Sequence, residues 1–370
     1  MPTAVPSPLS AFSAQPGAAG ALPLAISAVT AYPASAASAR VRVADFAPFL
    51  AEYGVDLQHM PMLTTEEYEL LSSGANPLRK AMVLAKSAAR AATMRRPGLL
   101  LVQRLILLAP IPALDPPRAL DVYDFDDALP VGPAASTSRR LLWLKQEARR
   151  ATTCMRRARL VVASNATLAS QARDHAARVE IVPSCVDPTA QTLRQHADCE
   201  ELTIGWIGSR TTAPYLMPLL PVVARLNGRG IRAKLVVVGA DTGVRAEWIE
   251  HRPWSLATQK AEIGKFDVGV MPLPDTAWTR GKAGYKLLQY FAAGVPAIAS
   301  PVGVNAGLVA DDRGIGATTE VEWEHALIEL LRDAKQRQER GGSARRFVED
   351  HYSYQRWAPE LAAILHSLSD

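Results

Sequence analysis

Short apolar runs alternate with longer stretches in which apolar residues return every three or four positions. In the first half the runs fall at Leu22 to Val29, Leu99 to Leu108, Leu120 to Tyr123, Arg159 to Asn165 and Val179 to Pro183. Helices are predicted over Asp45 to Tyr53, closed by Gly54, and over Arg139 to Arg157 and Ala166 to Ala176. From Asp187 to Glu201 the pattern lapses into polar residues, which marks a domain boundary. It then restarts more cleanly, with strands predicted at Leu202 to Ile207, Lys234 to Val238, Asp267 to Met271 and Pro296 to Ser300. Helices are predicted between them at Ala213 to Leu226, Ala257 to Ile263 and Lys282 to Ala292. Three more close the chain, at Val321 to Leu331, Ala334 to Asp350 and Tyr354 to Leu368. Apolar strands separated by helices mean parallel sheets covered on both faces. The expected fold class is α/β: two Rossmann-like, doubly wound domains facing across a cleft, where the carboxyl ends of both sheets meet one ligand.

The organisation expected is a disordered segment over residues 1–20, an N-terminal domain over 21–190, a C-terminal domain over 201–350, and a last helix over 351–370 that packs back on the N-terminal domain. The first segment is Ala, Pro, Ser and Gly with little to bury. A chain of 370 residues agrees with two domains, and 48% apolar against 21% charged residues excludes wholesale disorder. Lys plus Arg exceeds Asp plus Glu by 41 to 36, a surplus that suits phosphorylated ligands or an acidic surface without indicating a nucleic-acid partner. Cys154, Cys185 and Cys199 are scattered and the histidines stand apart, so no local metal site is expected and a reducing compartment is. No apolar run reaches the ~18 residues of a membrane span, and no Lys or Arg precedes Arg40, so a cytoplasmic location is expected. One stretch qualifies this. Arg139 to Arg159 holds eight basic residues against the single acid Glu147, with Leu141, Leu142, Leu144, Ala148 and Ala151 on an apolar side. It reads either as a solvated helix face or as a peripheral contact with an anionic membrane, at the inner face.

The strongest chemical signal is the stretch from Lys282 to Asn305. A helix there ends at Gly294, where glycine takes the left-handed conformation that closes it, and a buried strand and a second glycine loop follow. Lys282 and Lys286, four apart at the predicted helix start, join free backbone N–H groups and the helix dipole in favouring an anion. The bland reading is a solvated helix start. Gly208-Ser-Arg-Thr-Thr212 joins a strand to a helix with Pro214 in its first turn; its N–H groups and hydroxyls suit a diphosphate, with Arg210 adding charge, unless it is a simple capped turn.

These residues resemble a known family. Gly281-Lys-Ala-Gly-Tyr-Lys-Leu-Leu-Gln-Tyr-Phe-Ala-Ala-Gly-Val-Pro296 is similar to the helix of the form Lys-Leu-x-Glu-Tyr-Met-Ala-x-Gly-x-Pro in the donor-binding domain of the family-four retaining glycosyltransferases of GT-B fold. Ile204 to Ser209, Phe266 to Pro272, Ala299 to Gly303 and Val237 to Gly239 match further family segments in order. Fainter matches in the first half are Ser38-Ala-Arg40, Tyr123 to Asp127 and Val161 to Asn165. The resemblance implies transfer of a sugar from a nucleotide diphosphosugar to an acceptor (a glycan, a lipid-linked or a small molecule), with retention at the anomeric carbon and with no metal or other cofactor. It implies donor contacts from Gly208, Ser209, Arg210, Thr211, Gly281, Gln289, Val304 and Asn305, and catalytic work by Lys286, Lys282, Asp126 and Asp127.

The family commonly has two glutamates eight residues apart, the second bonding the nucleotide ribose; here those positions are Gly281 and Gln289. A neutral Gln still accepts a hydroxyl hydrogen bond, without charge. Asp124-Phe-Asp-Asp127 ends a strand and invites a metal reading, rejected because such a pair holds a metal in a different fold. Asp126 or Asp127 is read instead as orienting sugar hydroxyls, with a helix N-cap as the plain alternative. Arg40 is placed on the acceptor side or in a structural salt bridge, and Trp254 and Trp278 line the nucleotide or the core. The rivals are an epimerase of the same fold and a non-catalytic nucleotide-sugar-binding protein.

Overall fold

The computed structural model describes residues 22–111, 114–129 and 146–369. The expectation for residues 1–20 and the start of the predicted Arg139 to Arg157 helix, with Leu141, Leu142 and Leu144, lie outside the described residues. Two compact units share the chain. The N-terminal unit runs to residue 185 and takes in 281–283 and 354–369, whereas the C-terminal unit holds 186–280 and 284–353.

The N-terminal unit is built on a six-stranded parallel sheet of β1 (Leu24–Thr30), β2 (Val55–Pro61), β3 (Leu99–Gln103), β4 (Leu120–Phe125), β5 (Ala158–Ala163) and β6 (Val179–Ile181), in the order β2-β1-β3-β4-β5-β6. The C-terminal unit repeats the plan with β7 (Leu202–Ile207), β8 (Ala233–Val238), β9 (Ile249–Arg252), β10 (Val268–Met271), β11 (Ala297–Ala299) and β12 (Gly314–Gly316), in the order β12-β11-β10-β7-β8-β9. Every pairing is parallel, with Ile26 opposite Leu99 and Leu57, and Ile204 opposite Leu235 and Val268. Each order reverses direction once, between β1 and β3 and between β7 and β10. In open parallel sheets those switch points are where loops splay apart at the carboxyl ends and leave room for a ligand. The inner strands are mostly apolar because both of their faces are covered: in β7, Ile204, Gly205, Trp206 and Ile207 are all buried.

Several helices begin later or end sooner than the pattern predicted, each for a local reason. The stretch Ala213 to Leu226 starts as a 3-10 helix, Ala213–Leu219, and becomes α-helical only at Leu220–Gly228. Pro214 and Pro218 remove backbone donors there, and each proline ring crowds the preceding turn. The helix expected from Lys282 starts at Tyr285, behind Gly284 in the left-handed region, so Lys282 lies outside it and shares no helical face with Lys286. The run Leu99 to Leu108 stops as a strand at Gln103, because Arg104 adopts a positive φ of 61°. The helix after Asp45 is short, Ala47–Ala51, and a wound turn, Ala37–Ala39 continuing as Arg40–Ala44, precedes it. The last helix, Tyr354–His366, belongs to the core of the N-terminal unit: the Tyr354 ring stands edge-on to Phe46 at 4.7 Å, stacks on Phe49 at 5.2 Å, and its hydroxyl donates to Val41 O.

Candidate functional site

At the carboxyl edge of the N-terminal sheet, charge is concentrated and almost wholly paired. Arg42, on the turn after β1, donates to both oxygens of Asp124 at the end of β4, at 3.1 and 2.5 Å, and to Val182 O at 2.7 Å. Both side chains are buried. Burial pushes the Asp124 carboxyl above its ordinary pKa, and Arg42 pulls against that. Arg104, held in its left-handed conformation at the end of β3, meets Asp127 at 2.9 Å and Ser38 Oγ at 3.3 Å. Burial opposes charge on this guanidinium, but Asp127 and Asp126 outweigh it and raise its pKa. Asp126 accepts from Gln103 Nε2 at 3.2 Å, and its own pKa is raised by burial against the opposing pull of Arg104. The carboxylate of Asp127 also faces Lys282 Nζ at 3.6 Å. Tyr32, half-buried near Arg104, has a phenol raised by desolvation.

The expected residues are thus distributed as follows in this unit. Asp126, Asp127 and Lys282 come together in one cluster. Arg40 is buried, donates to Ala34 O and Ser35 O at 3.3 and 3.4 Å and stands 3.8 Å from Asp45, holding the loop after β1. Gly281 is a packing residue. A Cβ on it would meet Ala128 Cβ at 2.8 Å and Leu168 Cδ2 at 3.0 Å, while its carbonyl accepts from Asn165 Nδ2 at 2.9 Å. A glutamate has no room at that position. Arg104, Gln103 and Tyr32 were not anticipated, and Ser38 was noted only within the Ser38-Ala-Arg40 match; Arg104 interrupting an apolar run was a further visible sign.

The carboxyl edge of the C-terminal sheet is built differently, from glycines, hydroxyls and one helix start. After β7 the chain turns at Gly208, where a Cβ would run into the Trp206 ring at 2.4 Å. After β8 it turns at Gly239, at φ 89°, and a Cβ there would lie 2.4 Å from Gly208 O. Two backbone turns therefore touch at the switch point, and neither tolerates a side chain. Ser209 and Thr211 hydroxyls lie 2.8 Å apart, Thr212 Oγ1 accepts from Ser209 N–H, and Arg210 points out exposed. The loop closes on itself as a capped turn, followed by the proline-rich 3-10 segment rather than an α-helix N-terminus.

Helix Tyr285–Ala292 carries Lys286 in its first turn, with Nζ 5.5 Å from the Trp206 ring centroid, a cation–π contact. Gln289, one turn on, donates to Gln259 Oε1 at 3.5 Å, and Trp254 Nε1 donates to the same oxygen at 3.3 Å. Gln259 thus links the two and was not foreseen. Trp254 also packs beside Gly239, so it lines this edge, whereas Trp278 is half-buried on the short helix Ala277–Arg280. Asn305 is buried, donates to Ser300 O at 3.3 Å, and keeps Oδ1 without a partner where a Cβ on Gly284 would be 3.2 Å away. Val304 packs against the same glycine.

No family model matches the chain, and no curated protein matches its sequence. Solved structures do match its shape. Sucrose-phosphate synthase from Thermosynechococcus elongatus superposes with a TM-score of 0.66 at 13% identity, over 93% of this chain and 99% of that one. WaaG, a glycosyltransferase involved in lipopolysaccharide biosynthesis, gives 0.60 at 15% identity over 92% and 98%. Anabaena HepE in complex with UDP-glucose gives 0.61 at 11% identity over 93% and 99%. The fold is GT-B. At these identities the likeness speaks for GT-B architecture, while activity rests on the residues at the two sheet edges.

In the basic stretch one arginine turns inward. In its described part, helix Glu147–Arg157, Arg150 is buried against Asp115 and Leu107 O, and Arg157 donates to Pro116 O and Pro117 O at 3.0 and 2.9 Å. Arg150 serves the core and is not available to a surface partner. Among the described residues no helix is long and apolar enough to cross a membrane, and no cluster of three or more His, Cys, Asp or Glu is placed to hold a metal ion.

Proposed function

We propose that the chain is a retaining glycosyltransferase of the family-four kind, moving a sugar from a nucleotide diphosphosugar to a hydroxyl-bearing acceptor. The observation that carries this reading is the edge of the C-terminal sheet. Two side-chain-free turns, at Gly208 and Gly239, sit at the switch point with Lys286 and Gln289 on the helix beside them. Whole-chain likeness to sugar-transferring proteins, one of them solved with UDP-glucose, supports it. In this reading Trp254 meets the base, Gln289 the ribose hydroxyls, and Lys286 the diphosphate.

Chemistry then depends on charge placed where charge develops. As the sugar departs, the diphosphate gains negative charge, and Lys286, with Arg210 swinging in from the exposed loop, stabilises it more in the transition state than in the ground state. Asp126 and Asp127, fixed by Gln103 and Arg104, are acceptors for sugar hydroxyls, and Lys282 is held ready beside Asp127. The reading assigns no step to a metal. Calorimetric titration with UDP, GDP and ADP tests it: one should bind, with loss of heat in Lys286→Ala. Absence of binding by all three at millimolar concentration would overturn it.

A further inference from the structure

Three side chains from separate parts of the C-terminal unit meet at one oxygen beside its glycine turns. Gln259 Oε1 accepts from Trp254 Nε1 at 3.3 Å, five residues back, and from Gln289 Nε2 at 3.5 Å, thirty residues on. Gln259 is only 5% exposed, and its backbone is held in place. It opens the short helix Gln259–Ile263, its N–H donates to Ser255 O at 3.0 Å, and Ile263 at the far end is buried in the core. Glu262 on the same helix takes Arg252, from the end of β9, at 2.7 Å. A side chain anchored in this way keeps one choice, which end of its amide faces its partners.

That choice matters because an amide is an acceptor at one end and a donor at the other, so a lone glutamine at a binding surface can offer either. Here the indole decides. Trp254 Nε1 only donates, and the atom of Gln259 facing it therefore has to be the oxygen. The same oxygen faces Gln289, which must turn its NH2 inward, since two amide oxygens would repel. Gln289 Oε1 is thereby directed away from Gln259, and among the described residues it accepts no hydrogen bond from the chain. Gln289 is half-buried, one turn beyond Lys286 on helix Tyr285–Ala292. A donor-only group thus sets, through one intermediary, which atom a half-buried side chain shows to a ligand.

We infer that Gln259 is a positioning residue: fixed by the indole N–H, it holds the Gln289 amide with its oxygen toward the ribose hydroxyls, so that a neutral side chain acts there as a pure acceptor. The inference rests on the sugar-transfer reading and adds to it a preference for ribonucleotides set by a residue one step removed from the ligand. Preorganisation is the physical gain. A hydroxyl that meets an amide already turned the right way loses none of its hydrogen-bond energy to ordering that amide.

The test is calorimetric titration of the full chain with UDP, GDP and ADP, each also as its 2′,3′-dideoxynucleotide. For the base that binds, the unaltered chain should prefer the ribonucleotide. Gln259→Leu should lower that preference by about fivefold, the size of one neutral hydrogen bond, by weakening the ribonucleotide alone. Gln259→Glu keeps an oxygen facing both partners and should keep the preference. Adding Gln289→Glu to Gln259→Leu should restore it, because a carboxylate shows an oxygen whichever way it turns. If Gln259→Leu does not melt cooperatively, Trp254→Phe serves in its place. It keeps an aromatic ring and drops the N–H, so the two amides turn together between two pairings, and the preference should fall about twofold. Equal weakening of both nucleotide forms would make Gln259 a structural support only and overturn the inference. So would an unchanged preference, no preference in the unaltered chain, or no rescue by Gln289→Glu. Absence of binding by every nucleotide would overturn the sugar-transfer reading and this inference together, whereas binding with an unchanged preference overturns this inference alone.

Discussion

The two sheets share strand direction and strand number but finish their carboxyl edges in opposite ways. The N-terminal edge is crowded with charges that are already partnered: Arg42 with Asp124, Arg104 with Asp127 and, more loosely, Lys282 with Asp127. The C-terminal edge is nearly bare, with glycine turns, self-bonded hydroxyls and Lys286 resting over an aromatic ring. A bare edge lets a ligand's phosphates approach the backbone, and it derives much of its polar order from that ligand. A filled edge is preorganised, and its groups are held by the fold before anything binds. The contrast predicts that damage to the first edge shows in stability, and damage to the second in ligand binding and rate.

The largest expected effect is therefore on folding. Arg42→Ala leaves Asp124 buried without its partner and should cost about 3–5 kcal/mol, visible as a large fall in melting temperature; a melting temperature near wild type would show that the N-terminal edge is not stabilised as described. Lys286→Ala comes next and acts the other way. Melting should be nearly unchanged, while turnover with the true donor should fall by about 2–4 kcal/mol of transition-state stabilisation, and by more than donor affinity does. If full activity survived, Lys286 would lose its proposed catalytic role at the C-terminal edge. Gly281→Ala tests which edge that glycine serves. Overpacking against Ala128 and Leu168 should cost about 1–3 kcal/mol in unfolding measurements, with donor affinity kept. A smaller effect is expected from Gln289→Ala, about 1 kcal/mol in donor affinity by calorimetry, the net value of a neutral hydrogen bond.

The last prediction concerns pH rather than height. Burial raises the Asp126 pKa, so its carboxylate is lost as pH falls through a midpoint above the ordinary aspartate value. If that carboxylate accepts a substrate hydroxyl, rate should decline on the acidic side starting at a higher pH than an exposed aspartate would give. Asp126→Asn should flatten that limb. A rate profile that keeps the limb in Asp126→Asn would move the titration to another group.

Periodicity found the interior strands of both sheets because strands covered on both faces carry largely unbroken apolar runs. It missed β2, β9 and β12, all of which lie at sheet edges, where one side is open and the run need not be continuous: β2 alternates Val55, Asp56, Leu57 and Gln58. The glycine loop at 208, the helix carrying Lys286 and Gln289, and the Asp126–Asp127 pair were equally visible, because each is a local string of residues. Their partners were not. Arg104 meets Asp127 across β3 and β4, Gln259 joins Trp254 to Gln289 across thirty residues of chain, and Arg150 reaches Asp115 through the core.

What the sequence by itself determined was the α/β plan and the strings of residues that turn at the carboxyl ends of strands. Such features depend on neighbours in the chain, whose spacing is fixed by helix and strand geometry. Only the tertiary structure decided which charges are spent on the fold and which stay available. It took Arg40, Arg42 and Arg150 for packing, set Lys282 against Asp127 instead of on the helix with Lys286, and filled the place of a glutamate at Gly281 with Ala128 and Leu168. It also left Leu78 and Met82 exposed. A side chain's burial and its partner are set by segments far away in sequence, and the same arginine is a core strut or a surface cation according to what the fold lays beside it.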